Sequence, residues 1–220
     1  MEKTIVFQKG ANVLAASGKQ LGTLERVVIN PDTRMVTDIV ILGGTLFNKE
    51  NRVVPIGLVT ETTADQIVLR GEAEELQSFP PFEEMRIVGK DDIRTDTDVN
   101  VNVPPIIYGL PGMAMGSVIM PTPEEQATTT VEQNIPPGTV ALKEGARVIT
   151  ADEEDVGNVE RILADPSVGQ ATHLLITQGL LVKEQKLIPI SWVTTLGEDA
   201  IHLRVQADVI AALKSTPRTK

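Results

Sequence analysis

GANVLAASGKQLGTLERVVINP, residues 10–31, is written a second time with substitutions as GARVITADEEDVGNVERILADP at 145–166. The register then continues. VTDIVILGGTLF (36–47) aligns with ATHLLITQGLLV (171–182), and after one deleted residue VVPIGLVTETTADQIVLR (53–70) aligns with LIPISWVTTLGEDAIHLR (187–204). About 20 aligned positions are identical, and chance does not hold register over such a length, so the chain contains an internal duplication. Residues 1–80 hold the first copy, 135–217 the second, and 81–134 lie between them.

Each copy reads as β-structure. Short apolar runs such as Ile39-Val40-Ile41-Leu42 and Leu174-Leu175-Ile176 have the length of buried strands. Between them stand turn formers, Asn30-Pro31-Asp32 and Asp165-Pro166-Ser167. Gly22 and Gly157 interrupt strand-like text, where glycine marks a bulge or a sharp bend. Pro55 and Pro189 end aligned apolar runs. A short helical pattern closes each copy, at Glu72–Gln77 and Ala207–Lys214. Several short strands in so few residues predict a small closed barrel, which removes exposed sheet edges.

Composition narrows the function classes. The chain has 41% hydrophobic and 23% charged residues, the balance of a globular protein. A net charge of −10 opposes direct binding to nucleic-acid phosphates and to anionic lipid. There are no cysteines, which excludes disulfides, thiolate metal sites and a cysteine nucleophile. The opening residues MEKTIVFQKG lack the apolar core of a signal peptide, and no stretch reads as a membrane helix, so a cytoplasmic protein is expected.

The candidate chemistry is thin. Asp152-Glu153-Glu154-Asp155 ahead of Gly157 resembles half of a calcium loop, but Val156 and Leu163 stand where ligands are needed. The first copy forms the same turn with Ser17-Gly18-Lys19-Gln20, so a solvated hairpin turn is the reading. His173 aligns with Asp38 and His202 with Val68, which reads as two exposed strand histidines without a metal-ligand set. No nucleophile elbow or phosphate loop occurs. No catalytic residue, metal ligand or cofactor site is predicted.

Two features remain. Glu25-Arg26 and Glu160-Arg161 are charged in both copies, and on a regular strand adjacent side chains point to opposite faces. They are expected to serve the barrel, by pairing across the sheet or capping a barrel mouth. The intervening segment has no charge from Val99 to Pro123 and holds Tyr108, Leu110, Met113, Met115 and Met120. Its prolines and glycines break a membrane helix. The residues named make it a candidate partner site, because methionine adapts to irregular surfaces. Trp192 aligns with Leu58, which favours packing. It is also a candidate interface residue where the copies touch.

The order of Gly22, Glu25, Arg26, VTDIVI, VVPI and their second-copy counterparts Gly157, Glu160, Arg161, ATHLLI and LIPI resembles the PRC-barrel domain. The resemblance covers residues 8–78 and 137–214. That family includes the cytoplasmic part of the photosynthetic reaction-centre H subunit and the C-terminal domain of the 30S ribosome maturation factor. The H subunit's membrane helix and the maturation factor's separate N-terminal domain have no counterpart in these residues. The resemblance therefore implies an all-β chain of two small barrels in tandem, each with a short C-terminal helix, of a kind found in bacteria. It implies a non-catalytic protein-interaction or assembly module and leaves a homo-oligomer open. The alternatives it carries are a ribosome or RNA-processing accessory acting through a protein, or an accessory subunit of a photosynthetic or other membrane complex.

Overall fold

The computed structural model describes residues 4–45, 48–63, 65–71, 75–88, 128–143, 145–178 and 184–215. The first copy supplies β1 (Ile5–Gln8), β2 (Asn12–Leu14), β3 (Gln20–Ile29), β4 (Val36–Thr45), β5 (Asn48–Pro55), β6 (Val59–Thr62) and β7 (Gln66–Leu69). Next come β8 (Glu83–Val88) and β9 (Thr128–Gln133), which among the described residues form a two-stranded sheet of their own. The second copy supplies β10 (Val140–Lys143), β11 (Arg147–Ile149), β12 (Asp155–Ala164), β13 (Ala171–Gln178), β14 (Glu184–Pro189), β15 (Val193–Leu196), β16 (Ala200–Leu203) and helix α1 (Ala207–Ala212). The described residues up to Glu83 and from Gln133 onward form one compact unit, with the β8–β9 ribbon assigned largely to a second.

Each copy builds a sheet of seven strands, and each borrows one strand from the other. The first sheet runs β5-β4-β3-β2-β7-β6 and the second β14-β13-β12-β11-β16-β15. β1 leaves its own copy and pairs antiparallel with β12, placing Phe7 opposite Ile162. β10 makes the reciprocal move onto β3, placing Leu142 opposite Val27. Phe7 and Leu142 are both buried in a single core that draws on both copies. The exchange has the reciprocity of a domain swap, here within one chain.

The turns repeat the reciprocity. The Val36 N–H donates to the Gly169 carbonyl and the Ala171 N–H to the Arg34 carbonyl, at 3.0 and 2.8 Å. Arg34 and Gly169 are aligned positions, and both are left-handed, with φ of 63° and 68°. The two copies are therefore related by an approximate two-fold axis passing between these turns.

The sheets are not closed. Among the described residues no ladder joins β5 to β6 or β14 to β15, contrary to the closed barrel predicted from strand count. The last segment of each copy fills the core beside the edge strand. Leu76 lies against Gly43, and the Lys186 ammonium on β14 donates to the Ile210 and Ala211 carbonyls of α1. Ile210 is wholly buried. Where a helical pattern is predicted at Glu72–Gln77, the described residues form a 3-10 turn at Leu76–Ser78, whereas Ala207–Ala212 is an α-helix. Pro55 and Pro189 each lead into a further 3-10 turn, at Ile56–Leu58 and Ile190–Trp192, where their fixed φ matches the turn.

Glycine is required at Gly22 and Gly157 by close approach. A Cβ on Gly22 would fall on the Leu42 carbonyl oxygen, and one on Gly157 would fall on that of Thr177. Gly157 also has a φ of 124°, which L side chains avoid. Register shifts flank both glycines, so each marks a bulge in the long central strand.

Candidate interaction surface

The repeated Glu-Arg pair sits on a second bulge. Leu24 faces Ile41 and Arg26 faces Val40, leaving Glu25 as the extra residue; Val159, Ile176, Arg161 and Leu175 repeat this around Glu160. The pair thus departs from the simple alternation expected of a regular strand. All four residues line one narrow cleft, with Phe7 and Leu142 from the exchanged strands. Equivalent residues nevertheless keep different company. Lys9 pairs with Glu25 at 3.3 Å, whereas Glu160 accepts hydrogen bonds from the Thr177 hydroxyl and the Gln185 amide.

The two arginines differ more. Arg26 donates to Glu198 Oε2 at 2.6 Å, and its guanidinium lies 4.7 Å from the centre of the Phe82 ring. Glu198 also accepts from the Gln133 amide at 2.8 Å. Arg161 makes no hydrogen bond or ion pair among the described residues; the Nε of each arginine is buried without a partner, so the difference lies in the ion pair and the ring that only Arg26 has.

Phe82 explains the difference, because it covers the outer face of the first sheet. Val28, Val40, Val53 and Ala141 alternate with core residues and form a second, smaller apolar cluster with Phe82. Ile135 packs against it. The covering segment joins the edge of β5: the Val53 N–H donates to Pro80 at 3.0 Å and the Phe82 N–H to Asn51 at 2.8 Å. Arg52 and Pro81 face each other across this ladder. Pro81 occupies a position whose nitrogen faces away from β5, so its missing N–H removes no bond. The returning chain locks the segment, with Asn134 donating to the Phe82 carbonyl from its backbone and to Pro81 from its side chain.

Beneath this clasp lies Asp38, which is 8% exposed and has one carboxylate oxygen without a partner. Burial raises its pKa above the usual carboxylate value, and a hydrogen bond from Thr37 offsets part of that.

The second sheet has no such cover among the described residues. Val28, Val40 and Val53 correspond to Leu163, Leu175 and Leu187. The three valines are at most 4% exposed, whereas Leu163 is half-buried and Leu187 is 37% exposed. Leu175 is buried but belongs to neither apolar cluster. Among the described residues no strand is added beyond β14, the edge equivalent to the one that carries the clasp, and Ser215 after α1 donates to Glu184 of that strand.

Of the other predicted site residues, Trp192 is half-buried in its 3-10 turn and packs against the shared core. Its carbonyl accepts from the Arg204 N–H, as that of Leu58 does from Arg70. Tyr108, Leu110, Met113, Met115 and Met120 lie outside the described residues. In the acidic turn, Asp152 accepts from the Ala207 N–H at the start of α1, and Asp155 accepts from Gly157. The bond from Thr150, with the backbone bonds of Asp152 and Ala207, holds the Asp152 carboxyl below its usual pKa. Among the described residues no group of three or more His, Asp or Glu is placed to hold a metal ion.

The clasp and its missing counterpart were not visible in the alignment. Phe82 lies past the end of the aligned blocks, and the leucines differ from the valines only in size.

The sequence model of the PRC-barrel domain matches the chain twice, over residues 9–76 and 144–213, which together are more than half of it. The chain belongs to the PRC-barrel family. It is a tandem member, with two sheets corresponding to the two domains. No curated protein matches it. PRC-barrel domains are generally interaction or assembly modules, and the family is not typically catalytic. No helix of the described residues is long and apolar enough to cross a membrane.

Proposed function

We propose that this chain is a non-catalytic protein-interaction or assembly module of the cytoplasm, in which two PRC-barrel repeats and the segment 81–134 between them serve recognition. The observation that carries the reading is the inequality of two equivalent surfaces. The outer face of the first sheet is sealed by a segment of the chain itself, and that of the second presents Leu187 to solvent beside a half-buried Leu163. Exposed apolar surface beside an unpaired sheet edge is the property of a surface that takes a partner. The titratable groups support the same reading. The one raised carboxyl among the described residues, Asp38, lies under the clasp beside apolar and amide neighbours and the Thr37 hydroxyl, and no histidine, lysine or second carboxylate among the described residues lines its pocket.

A photo-crosslinking residue at Leu187, with a second at the exposed Glu61 as control, tests this in extract of the native cells. A reproducible protein adduct specific to position 187, confirmed by binding of the purified proteins, is the expected result. Absence of any such adduct at 187 and across the remaining surface would sink the reading. The adduct's identity also separates ribosomal from membrane-complex partners.

A further inference from the structure

We infer that the open face of the second sheet receives an extended segment of a protein partner, which adds to the edge of β14 and brings an aromatic ring and a carboxylate to Arg161. This deepens the interaction reading and rests on it. The first sheet displays the occupied form of the same site. There an extended segment pairs with β5, Phe82 lies on Val28, Val40 and Val53, and Arg26 is bound by the Phe82 ring and the Glu198 carboxylate.

Every receiving element recurs in the second sheet. β14 takes the place of β5, and Leu187 faces Leu175 as Val53 faces Val40. Arg161 faces Leu175 as Arg26 faces Val40. Among the described residues only the donated groups are missing. The sequence has Ala64 where the other copy has Glu198, so the chain offers no carboxylate at that position. Glu160, the nearest acid in sequence, already accepts from Thr177 and twice from Gln185.

Charge complementarity selects the occupant. A partly desolvated guanidinium with neither anion nor ring is satisfied by a carboxylate and by an aromatic face, and the apolar floor of leucines takes the ring's body. Strand addition supplies main-chain bonds to an edge that has none on that side among the described residues. An aliphatic or basic segment would fill the floor and leave Arg161 unanswered.

The chain's own clasp provides the probe. A fluorescently labelled peptide copying residues 78–84, Ser-Phe-Pro-Pro-Phe-Glu-Glu, is titrated with the full-length protein and followed by anisotropy. Saturable binding is expected with a Kd at or below about 1 mM, which is about 4 kcal/mol of association free energy. Arg161→Ala is expected to weaken it about tenfold, as is alanine for the peptide's second phenylalanine. Leu187→Asp is expected to abolish it, and a cooperative melting transition well above the assay temperature shows that the variant is folded when binding is measured.

No saturation with either component at about 1 mM overturns the inference, because strand addition with a seated ring and an ion pair should exceed that threshold. Binding indifferent to both substitutions overturns it too, because the peptide would then be displacing the clasp on the first sheet. A concentration-dependent dimer that Leu187→Asp dissociates, with no peptide bound, gives the face to a second copy instead. An adduct at position 187 without peptide binding discards the aromatic and acidic chemistry and leaves the interaction reading standing.

Discussion

The outer faces of the two sheets derive from the same duplicated text and have reached opposite states. In the first, small β-branched residues make a flat floor that Phe82 and Ile135 cover. In the second, leucines stand at the same positions, and among the described residues the edge strand is free and the arginine lacks both kinds of partner. The core between the sheets does not show this divergence, since Phe7 and Leu142 enter it by equivalent routes. Duplicated packing is constrained on the inside, where every side chain has neighbours to satisfy. A face that needs only one lid leaves its twin free to change.

The most forceful way to break this comparison is to remove the lid. Phe82→Ala is expected to cost about 3–4 kcal/mol, because a wholly buried ring leaves a cavity above three valines and removes the contact with Arg26. Leu187→Ala, at the partly exposed counterpart of Val53, is expected to cost less than about 1 kcal/mol. Urea unfolding of the two variants measures both values. Equal losses would mean that the faces are not energetically different.

The central strands offer a second contrast. Gly157→Ala and Gly22→Ala both drive a Cβ into a carbonyl of the neighbouring strand, but only Gly157 has a left-handed φ. We expect about 2–4 kcal/mol for Gly157 and about 1–3 kcal/mol for Gly22, from overpacking alone in the latter and from overpacking plus backbone strain in the former. Thermal unfolding ranks them, and the reverse order would contradict the bulge geometry.

The hairpin turns reverse the roles. Glu153 and Gly18 are aligned, and Glu153 holds a φ of 63° where Gly18 holds 83°. Glu153→Gly is expected to stabilise by about 0.5–1 kcal/mol, since a left-handed conformation costs an L residue about 1–2 kcal/mol and added chain entropy returns part of it. Gly18→Ala is expected to lose about 1 kcal/mol for the same reason. A destabilised Glu153→Gly in urea unfolding would show that the acidic turn does more than turn the chain.

These contrasts mark how much the sequence disclosed. The repeat fixed the strands, the two bulged glycines and the equivalence of Glu25-Arg26 with Glu160-Arg161, because each leaves a periodic or compositional trace. The strand exchange left none. Ile5–Gln8 and Val140–Lys143 stand at the margin of the aligned text, and their patterns suit either sheet equally well. Which β3-like strand each one joins is decided by where the two-fold axis falls, a relation between copies that no local pattern contains. The clasp was hidden for another reason. Phe79-Pro80-Pro81-Phe82 reads as the end of a domain, and its partner Asn134 lies more than 50 residues later. The segment holding Tyr108 and Met113 attracted notice by composition alone, and composition says nothing about Leu187, whose importance lies in what fails to cover it.

The smallest expected effect concerns the pair Asp38 and His173, which occupy the same position under the closed face and on the open one. Burial raises the folded-state pKa of Asp38 above its ordinary 3.8, so the folded state disfavours its charged form. A raised carboxyl pKa penalises folding as pH climbs from the unfolded value through the folded one, and the penalty is complete above the latter. Asp38→Asn is therefore expected to raise the melting temperature at neutral pH, with the gain shrinking as pH falls toward and below the ordinary 3.8 and both states become protonated. The gain is held small because Thr37 already stabilises the charged form by a hydrogen bond. The wild-type protein over the same pH range is the reference. Melting curves from pH 3 to 7 distinguish the two, and a pH-independent gain in Asp38→Asn would mean that the clasp does not hold this carboxylate away from water.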